Sequence, residues 1–364
     1  MPIFYNFIKL VIFTTKHFKM INRVQLIDVL KGIAVLLMIQ VHIVELFATD
    51  VIFNSFLGKL LLFFGGAPVA PLFIIIMGYF LGATKKNTVD LIKKGLRIFC
   101  LGMILNIALN FNLIISVFKG LLHVNLLPYI FGIDILIFAG FSVVIIALFK
   151  QQLQKNLVIT FVCIIIFAGL GNLLIQNIPT NTILKYISAI FIGSTYWSYF
   201  PIFPWLAYPL AGFLFYQIEQ KYKFTGLELT KTKLLFALLF LCLLIFTSKY
   251  AISISSNLQA YYHHGLLFFL WVIIFLSIYI YFANQVNNLI KNNSIINYFK
   301  WLGKHVTVVY IIQWVLIGNI GTEIYKTITS PIQLLMCFLA ILLISTGLTY
   351  LGLLLIAKFK NQRL

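Results

Sequence analysis

Long apolar stretches separated by short polar breaks run through almost the whole chain. Each is long enough, or nearly so, to cross the hydrocarbon core of a bilayer as a helix of about 20 residues. Helices are expected because a bilayer offers no water to unpaired backbone groups. The pattern predicts an all-α, polytopic integral membrane helical bundle of about ten transmembrane helices, at residues 31–49, 59–84, 95–111, 124–149, 156–176, 202–218, 234–249, 262–283, 305–320 and 331–357.

Composition agrees with lipid as the main solvent of this chain. Hydrophobic residues make up 62% of the 364 positions and charged residues 10%, whereas soluble domains carry roughly 25% charged residues. We therefore predict a single transmembrane domain over residues 23–364, preceded by an N-terminal extension at 1–22. The four cysteines lie far apart in apolar stretches, with no CxxC spacing, so we predict neither a metal site nor a disulfide framework.

The formal net charge of +19 reflects topology rather than nucleic-acid binding. Lysine and arginine cluster in alternate connections between the predicted helices, as the positive-inside rule requires of cytoplasmic loops. This predicts cytoplasmic N- and C-termini in a cell membrane, with a bacterial inner membrane as the expected location. Of the 27 basic residues, five fall on the opposite side: Lys59, Lys119, Lys185, Lys249 and Lys326.

The first predicted helix carries a polar stripe. Lys31 and His42 are eleven positions apart, which returns to within about 20° of the same direction on a helix. Asp28 and Glu45 each lie three positions from one of them, on the same face. Ionisable residues inside a membrane are costly and indicate function, although a histidine hydrogen-bonded to a neighbouring helix is the structural alternative for His42.

Other polar residues are weaker candidates. Asp134 lies ten residues into the span predicted over 124–149, which places it at a depth similar to that of His42. It could orient the imidazole or play a purely structural part. His263 and His264 are predicted at the outer end of the eighth span, where an aromatic belt and an acceptor-binding site are both consistent with the sequence.

Two predicted spans contain proline-based breaks. Pro68 bends the second span, and Pro201 and Pro204 interrupt the chain before Trp205. A break of this kind inside a membrane protein can line a cavity. Gln313, in a late span, is expected to form a hydrogen bond between helices.

Four segments resemble the transmembrane acyltransferases, in the order in which that superfamily has them. They are INRVQLIDVLKGIAVLLMIQVH, GGAPVAPLFIIIMGYFLG, YFPIFPWLAYPLAGFLF and WLGKHVTVVYIIQW, and the resemblance runs from about Arg23 to the C-terminus. The first is similar to the helix of the acyltransferase-3 family in which a basic residue and a histidine are separated by ten positions, here Lys31 and His42. The third is similar to the heparan-α-glucosaminide N-acetyltransferase branch. The chain departs from the family where Lys31 replaces the commoner arginine and where Gln313 replaces a late histidine.

The resemblance implies transfer of an acyl group, usually acetyl, from cytoplasmic acyl-CoA to a hydroxyl or amine of a glycan or lipid-linked acceptor. His42 would act as general base or acyl carrier, with Asp28 and Asp134 as further catalytic candidates. A basic inner mouth of Lys31, Lys85, Lys86 and Arg97 would hold the CoA phosphates, although loop lysines also serve topology alone. The candidate acceptor-binding residues are Glu45, Trp205, His263, His264 and Gln313.

Two other classes of function fit the same features. Broken helices and charges near the midplane are also typical of transporters, so a transporter or flippase for a glycan, lipid or small metabolite is the first alternative. A non-enzymatic assembly subunit is the second. Turnover of acyl-CoA would separate the enzyme from both. The expected partners are membrane lipids and the acceptor, and a homodimer is compatible with the sequence.

Overall fold

The computed structural model describes residues 25–174, 181–193, 195, 197–222, 231–289 and 293–361. The structure is 85% helical, and its described residues form no strand, only an isolated bridge between Ala48 and Ile328. This confirms the prediction of an all-α protein. The predicted N-terminal extension lies outside the described residues.

The described chain forms nineteen helices, several of them separated by only one to three residues. They are α1 Gln25–Phe47, α2 Asp50–Asn54, α3 Phe56–Gly66, α4 Ala70–Ala83, α5 Thr88–Leu109, α6 Phe111–Phe118, α7 Leu127–Ile130, α8 Ile135–Lys155, α9 Leu157–Leu174, α10 Thr182–Ile192, α11 Ile202–Trp205, α12 Ala207–Tyr222, α13 Lys231–Phe246, α14 Ser248–Ser255, α15 Leu258–Tyr262, α16 Leu266–Leu289, α17 Ser294–Lys304, α18 Val306–Ile324 and α19 Pro331–Asn361.

Six helical segments of the described chain are long and apolar enough to cross a membrane, and this number rises to eight if two bent pairs each count as one span. The bent pairs are α5 with α6, at 54°, and α13 with α14, at 60°. A multi-pass membrane protein is therefore shown. The remaining two predicted spans coincide with the shorter helices α9 and α12, so the count of ten and the orientation of the termini stay predictions.

The proline-based breaks fall where the sequence predicts them. Helix α3 ends at Gly66 and α4 begins at Ala70, on either side of Pro68. After Pro201, the four-residue helix α11 contains a non-helical residue, Phe203, before α12 starts. Proline lacks an amide hydrogen and favours the first turn of a helix, which explains why each break precedes a new helix.

One predicted span begins later than the sequence suggests. Residues 124–134 form a loop with the single turn α7, and α8 begins only at Ile135, with Asp134 as its N-cap. Pro128 and Gly132 interrupt the apolar stretch, and aspartate favours the position just before a helix. The prediction that Asp134 lies ten residues deep in a span is therefore wrong.

The described residues fall into two compact units. The first consists of the described residues up to 61, residues 108–123 and those from 287 onwards. In this unit α1 packs against α17, α18 and α19, and α18 also packs against α6. Gly32 of α1 and Gly303 of α17 allow the backbones to touch, because a Cβ at either would overlap the carbonyl oxygen of Phe299 or Asp28.

The second unit consists of residues 62–107 and 124–286, where described. Its main contact joins α4 and α12, and α9 packs against α11 and α12. Here too small residues let helices approach, since a Cβ at Gly78 would overlap the Pro209 carbonyl oxygen and one at Gly212 that of Ile75. Glycine at such contacts is typical of helix packing in membranes.

Candidate functional site

The polar stripe predicted on the first helix is present on α1, which runs without a break from Gln25 to Phe47. Near its start Lys31 Nζ lies 3.2 Å from a carboxylate oxygen of Asp28, one turn earlier on the same helix. Asp28 is 2% exposed, and a buried carboxylate needs a compensating charge. The ion pair with Lys31 supplies that charge.

His42 lies further along the stripe and contacts α18. Its Nδ1 is 3.3 Å from Oε1 and 3.2 Å from Nε2 of Gln313. The Gln313 side chain is 0% exposed, so its amide is held in place by packing. This confirms that Gln313 forms a hydrogen bond between helices, and the bond joins it to the histidine that the sequence singles out.

The tautomer of His42 decides which imidazole nitrogen can do chemistry, and Nδ1 lies about equally close to the amide oxygen and the amide nitrogen of Gln313. A neutral imidazole has one donor and one acceptor nitrogen, and the bond made by one nitrogen sets the role of the other. When Nδ1 donates to Gln313 Oε1, Nε2 keeps its lone pair. No residue in the described part of the chain forms a hydrogen bond with Nε2 of His42.

Trp314, the next residue on α18, covers one face of the His42 ring. The two ring centroids are 3.8 Å apart and the planes are inclined by 27°. Stacked aromatic pairs contribute about 0.5–1.5 kcal/mol beyond the area that they bury. Trp314 was not a candidate from the sequence, where its position directly after Gln313 was the one available signal.

Glu45 is the last member of the stripe. It lies three positions after His42 on α1, within the same unit, and is half-buried. The structure thus places Asp28, Lys31, His42 and Glu45 on one helix. It also brings Gln313 to them from a position 271 residues away in the chain.

In the second unit, Trp205 and His264 belong to a packed aromatic cluster. The Trp205 indole is 0% exposed and its Nε1 donates to the Tyr262 carbonyl oxygen at 2.7 Å. His264 Nδ1 lies 2.6 Å from the Tyr261 carbonyl oxygen, so this nitrogen donates and Nε2 accepts from the Tyr208 hydroxyl at 2.8 Å. Both His264 nitrogens are occupied, and both side chains are placed to support the fold.

His263 lines a cavity together with its neighbour, but its hydrogen bonding is different. The cavity has a volume of about 300 Å³, and His264, Tyr250 and Phe268 are also among its lining residues. His263 is 6% exposed, and its buried Nδ1 has no hydrogen-bond partner among the described residues. Of the two histidines, His263 is therefore the one still able to receive a polar ligand.

The other predicted residues also lie in the second unit. Asp134 is half-buried at the start of α8. Lys85 is exposed and Lys86 half-buried in the connection between α4 and α5, and Arg97 is exposed on α5. Lys31 belongs to the first unit, so the grouping of all four basic residues into one donor mouth stays a prediction.

Comparison with known families assigns the chain. The model of the acyltransferase-3 family, described as an acyltransferase domain, matches residues 24–350. The chain belongs to the acyltransferase-3 family. A comparison with curated proteins finds no match, and neither does a comparison with solved structures.

The family assignment makes the chain a membrane acyltransferase and covers both units of the fold. It confirms the resemblance drawn from Lys31 and His42 at the level of the family. Membership of the heparan-α-glucosaminide N-acetyltransferase branch stays a prediction. In this acyltransferase, the described residues contain no group of three or more His, Cys, Asp or Glu side chains that could hold a metal ion.

Proposed function

We propose that this membrane acyltransferase moves an acyl group, most simply acetyl, from acyl-CoA to a hydroxyl or amine of a glycan or lipid-linked acceptor, with His42 as the general base. The observation that carries the proposal is the contact between Nδ1 of His42 and the buried amide of Gln313. Nε2 has no described partner, and the stretch of helix between Lys31 and His42 is apolar apart from Gln40.

The chemistry follows from this geometry. Nε2 of His42 takes the proton of the acceptor hydroxyl or amine as that group attacks the thioester carbonyl. The tetrahedral intermediate then breaks its carbon–sulfur bond, and the imidazolium returns the proton to the leaving thiolate. The products are the acylated acceptor and CoA, and His42 ends neutral. Proton transfer of this kind contributes about 10²–10⁴ in rate.

A covalent variant uses the same atom. Nε2 could attack the thioester itself, carry the acyl group, and pass it to the acceptor in a second step. In both variants Gln313 fixes the tautomer and Trp314 fixes the plane of the ring. Both are positioning residues in this scheme, and the proposed roles of Asp28 and Glu45, which lie on the same helix as His42, are electrostatic.

A transporter or flippase is the alternative function, and the bent pairs α5–α6 and α13–α14 are the observation that favours it. The family assignment favours the enzyme. The two are separated by incubating the purified protein with radiolabelled acetyl-CoA and a cell-envelope extract. Transfer of label to an envelope component is expected of the enzyme, and its absence with intact acetyl-CoA would contradict the proposal.

The central test is His42→Ala. We expect this variant to lower label transfer by about 10²–10⁴ while inserting and expressing normally, because removal of an imidazole does not oppose insertion. His42→Gln keeps a side chain able to meet Gln313 but supplies no base, so it should be equally inactive. His305→Ala is the matched control, because His305 also packs against a tryptophan. The ring centroids of His305 and Trp301 are 5.2 Å apart. More than about a tenth of normal turnover in His42→Ala would remove His42 from the mechanism.

A further inference from the structure

A basic cavity lies in the same unit as His42, where the start of α1 meets α17. Its volume is about 370 Å³, and its described lining residues are Gln25, Asp28, Lys300 and Lys304. This volume is within the range of about 300–1,000 Å³ that is usual for small-molecule sites. None of the lysines predicted from the sequence to hold the donor is among these lining residues.

The two lysines of the cavity are four positions apart on α17, so they lie on the same face of that helix. Lys300 Nζ donates to the neutral Gln25 side chain at 3.0 Å. Lys300 is half-buried and Lys304 exposed. Neither forms an ion pair with a carboxylate in the described part of the chain.

Asp28, the one acidic residue among the described lining residues, does not cancel these charges. Asp28 is paired with Lys31 of its own helix. Among the described residues around the cavity, the ammonium groups of Lys31, Lys300 and Lys304 and the carboxylate of Asp28 therefore leave a net charge of +2. A concave site with an excess of positive charge raises the local concentration of anions. Lysine is also a usual ligand of phosphate, which it binds as a point charge.

We propose that this cavity binds the phosphate groups of the acyl donor, with Lys300 and Lys304 as the phosphate ligands and Gln25 holding Lys300 in place. The proposal rests on the proposed function for the identity of the donor. As a site for a phosphate-bearing anion, however, it stands on the cavity and its two lysines.

The position of the cavity relative to His42 agrees with the chemistry of acyl-CoA. Asp28 and His42 are 14 positions apart on α1, which is about 21 Å along the helix axis. Acyl-CoA carries its phosphates at one end and its thioester at the other end of an extended pantetheine arm. A donor with its phosphates between α1 and α17 would run its arm along α1 towards His42.

The rigidity of the junction supports a built site. The reciprocal backbone contacts at Gly32 and Gly303 fix α17 against α1 one residue before Lys304 and three after Lys300. The backbone that carries the two lysines is therefore held in place before a ligand binds, which reduces the entropy lost on binding. From the sequence, they were indistinguishable from lysines that set topology.

The test is calorimetric binding to the full-length protein in nanodiscs of neutral lipid, with CoA and inorganic pyrophosphate as separate probes. The Lys300→Gln/Lys304→Gln variant should bind both probes about tenfold more weakly or worse, which corresponds to the loss of about 1.4 kcal/mol. The dependence of affinity on salt should also become less steep. Lys300→Arg/Lys304→Arg should keep most of the affinity, because it keeps both charges.

Lys59→Gln/Lys358→Gln is the matched control. It removes two exposed lysines of the same unit and should leave binding unchanged. Equal binding of CoA by the Lys300→Gln/Lys304→Gln variant and the normal protein would overturn the site. So would a normal protein that binds neither probe. If the normal protein binds pyrophosphate through Lys300 and Lys304 but does not bind CoA, the anion site stands and acyl-CoA as donor falls.

Discussion

The side chain of Gln313 offers the sharpest test of how His42 is activated. Gln313→Leu removes both amide atoms that contact Nδ1 while keeping a side chain of similar bulk in a fully buried position. The imidazole can then rotate or carry its proton on Nε2, and in that tautomer it is no longer a base towards the acceptor. We expect the maximal rate to fall while the donor KM stays close to normal, because Gln313 does not contact the donor in this scheme.

The size of the fall can be worked out from the bond that is lost. A buried polar group that loses its partner costs about 1–3 kcal/mol. If the transition state loses the whole of this free energy, the rate falls by about 5- to 150-fold. Gln313→His places a ring able to meet Nδ1 at the same position, and it should retain more activity than Gln313→Leu.

The measurement is the initial rate of label transfer from radiolabelled acetyl-CoA to envelope extract at saturating donor, with thermal unfolding as the measure of intact fold. Gln40→Leu is the matched control, because Gln40 also lies on α1 and its amide donates to the Leu61 carbonyl oxygen at 2.9 Å. It removes one part-buried hydrogen bond without touching His42. A folded Gln313→Leu protein with a rate within about twofold of normal would refute the reasoning.

Three further predictions concern the stacking, the charges and the topology. Trp314→Leu should lower the maximal rate by about twofold to tenfold, whereas Trp314→Phe should restore most of it; equal rates in all three proteins would deny Trp314 a positioning role. Lys31→Gln should raise the donor KM and weaken its dependence on salt. Because Lys31→Gln alone would leave the buried Asp28 carboxylate uncompensated, the Asp28→Asn/Lys31→Gln variant is compared with Asp28→Asn. An unchanged donor KM would mean that Lys31 serves topology alone. A periplasmic reporter fused after Leu364 should be inactive, and an active fusion would contradict cytoplasmic termini.

The stripe on α1 could be predicted because it depends on the period of a single helix. The positions of Asp28, Lys31, His42 and Glu45 follow from 3.6 residues per turn, and the structure keeps them on one continuous helix. The breaks at Pro68 and Pro201 could also be predicted, because proline acts on the backbone within a few residues of itself.

What a single sequence could not supply is which helix faces meet. The contact of His42 with Gln313 and Trp314 joins α1 to α18, and the cavity with Lys300 and Lys304 joins α1 to α17. Hydrophobic periodicity shows which face of each helix is apolar but does not show which other helix packs against that face. The position of Asp134 differs from the prediction for a local reason, because Pro128 and Gly132 interrupt the apolar stretch and aspartate tends to precede a helix.

At the junction of α1 and α17, the two glycines and the two lysines differ in the substitutions that they can tolerate. Any side chain at Gly32 or Gly303 would have to occupy the volume of the opposing backbone, so neither change can be absorbed by a new rotamer. The lysines beside them contact solvent or one neutral amide and can be exchanged without moving a helix. In a population of variants, the charge of this junction can therefore drift and adapt to a different anion, while the two glycines that hold it together cannot.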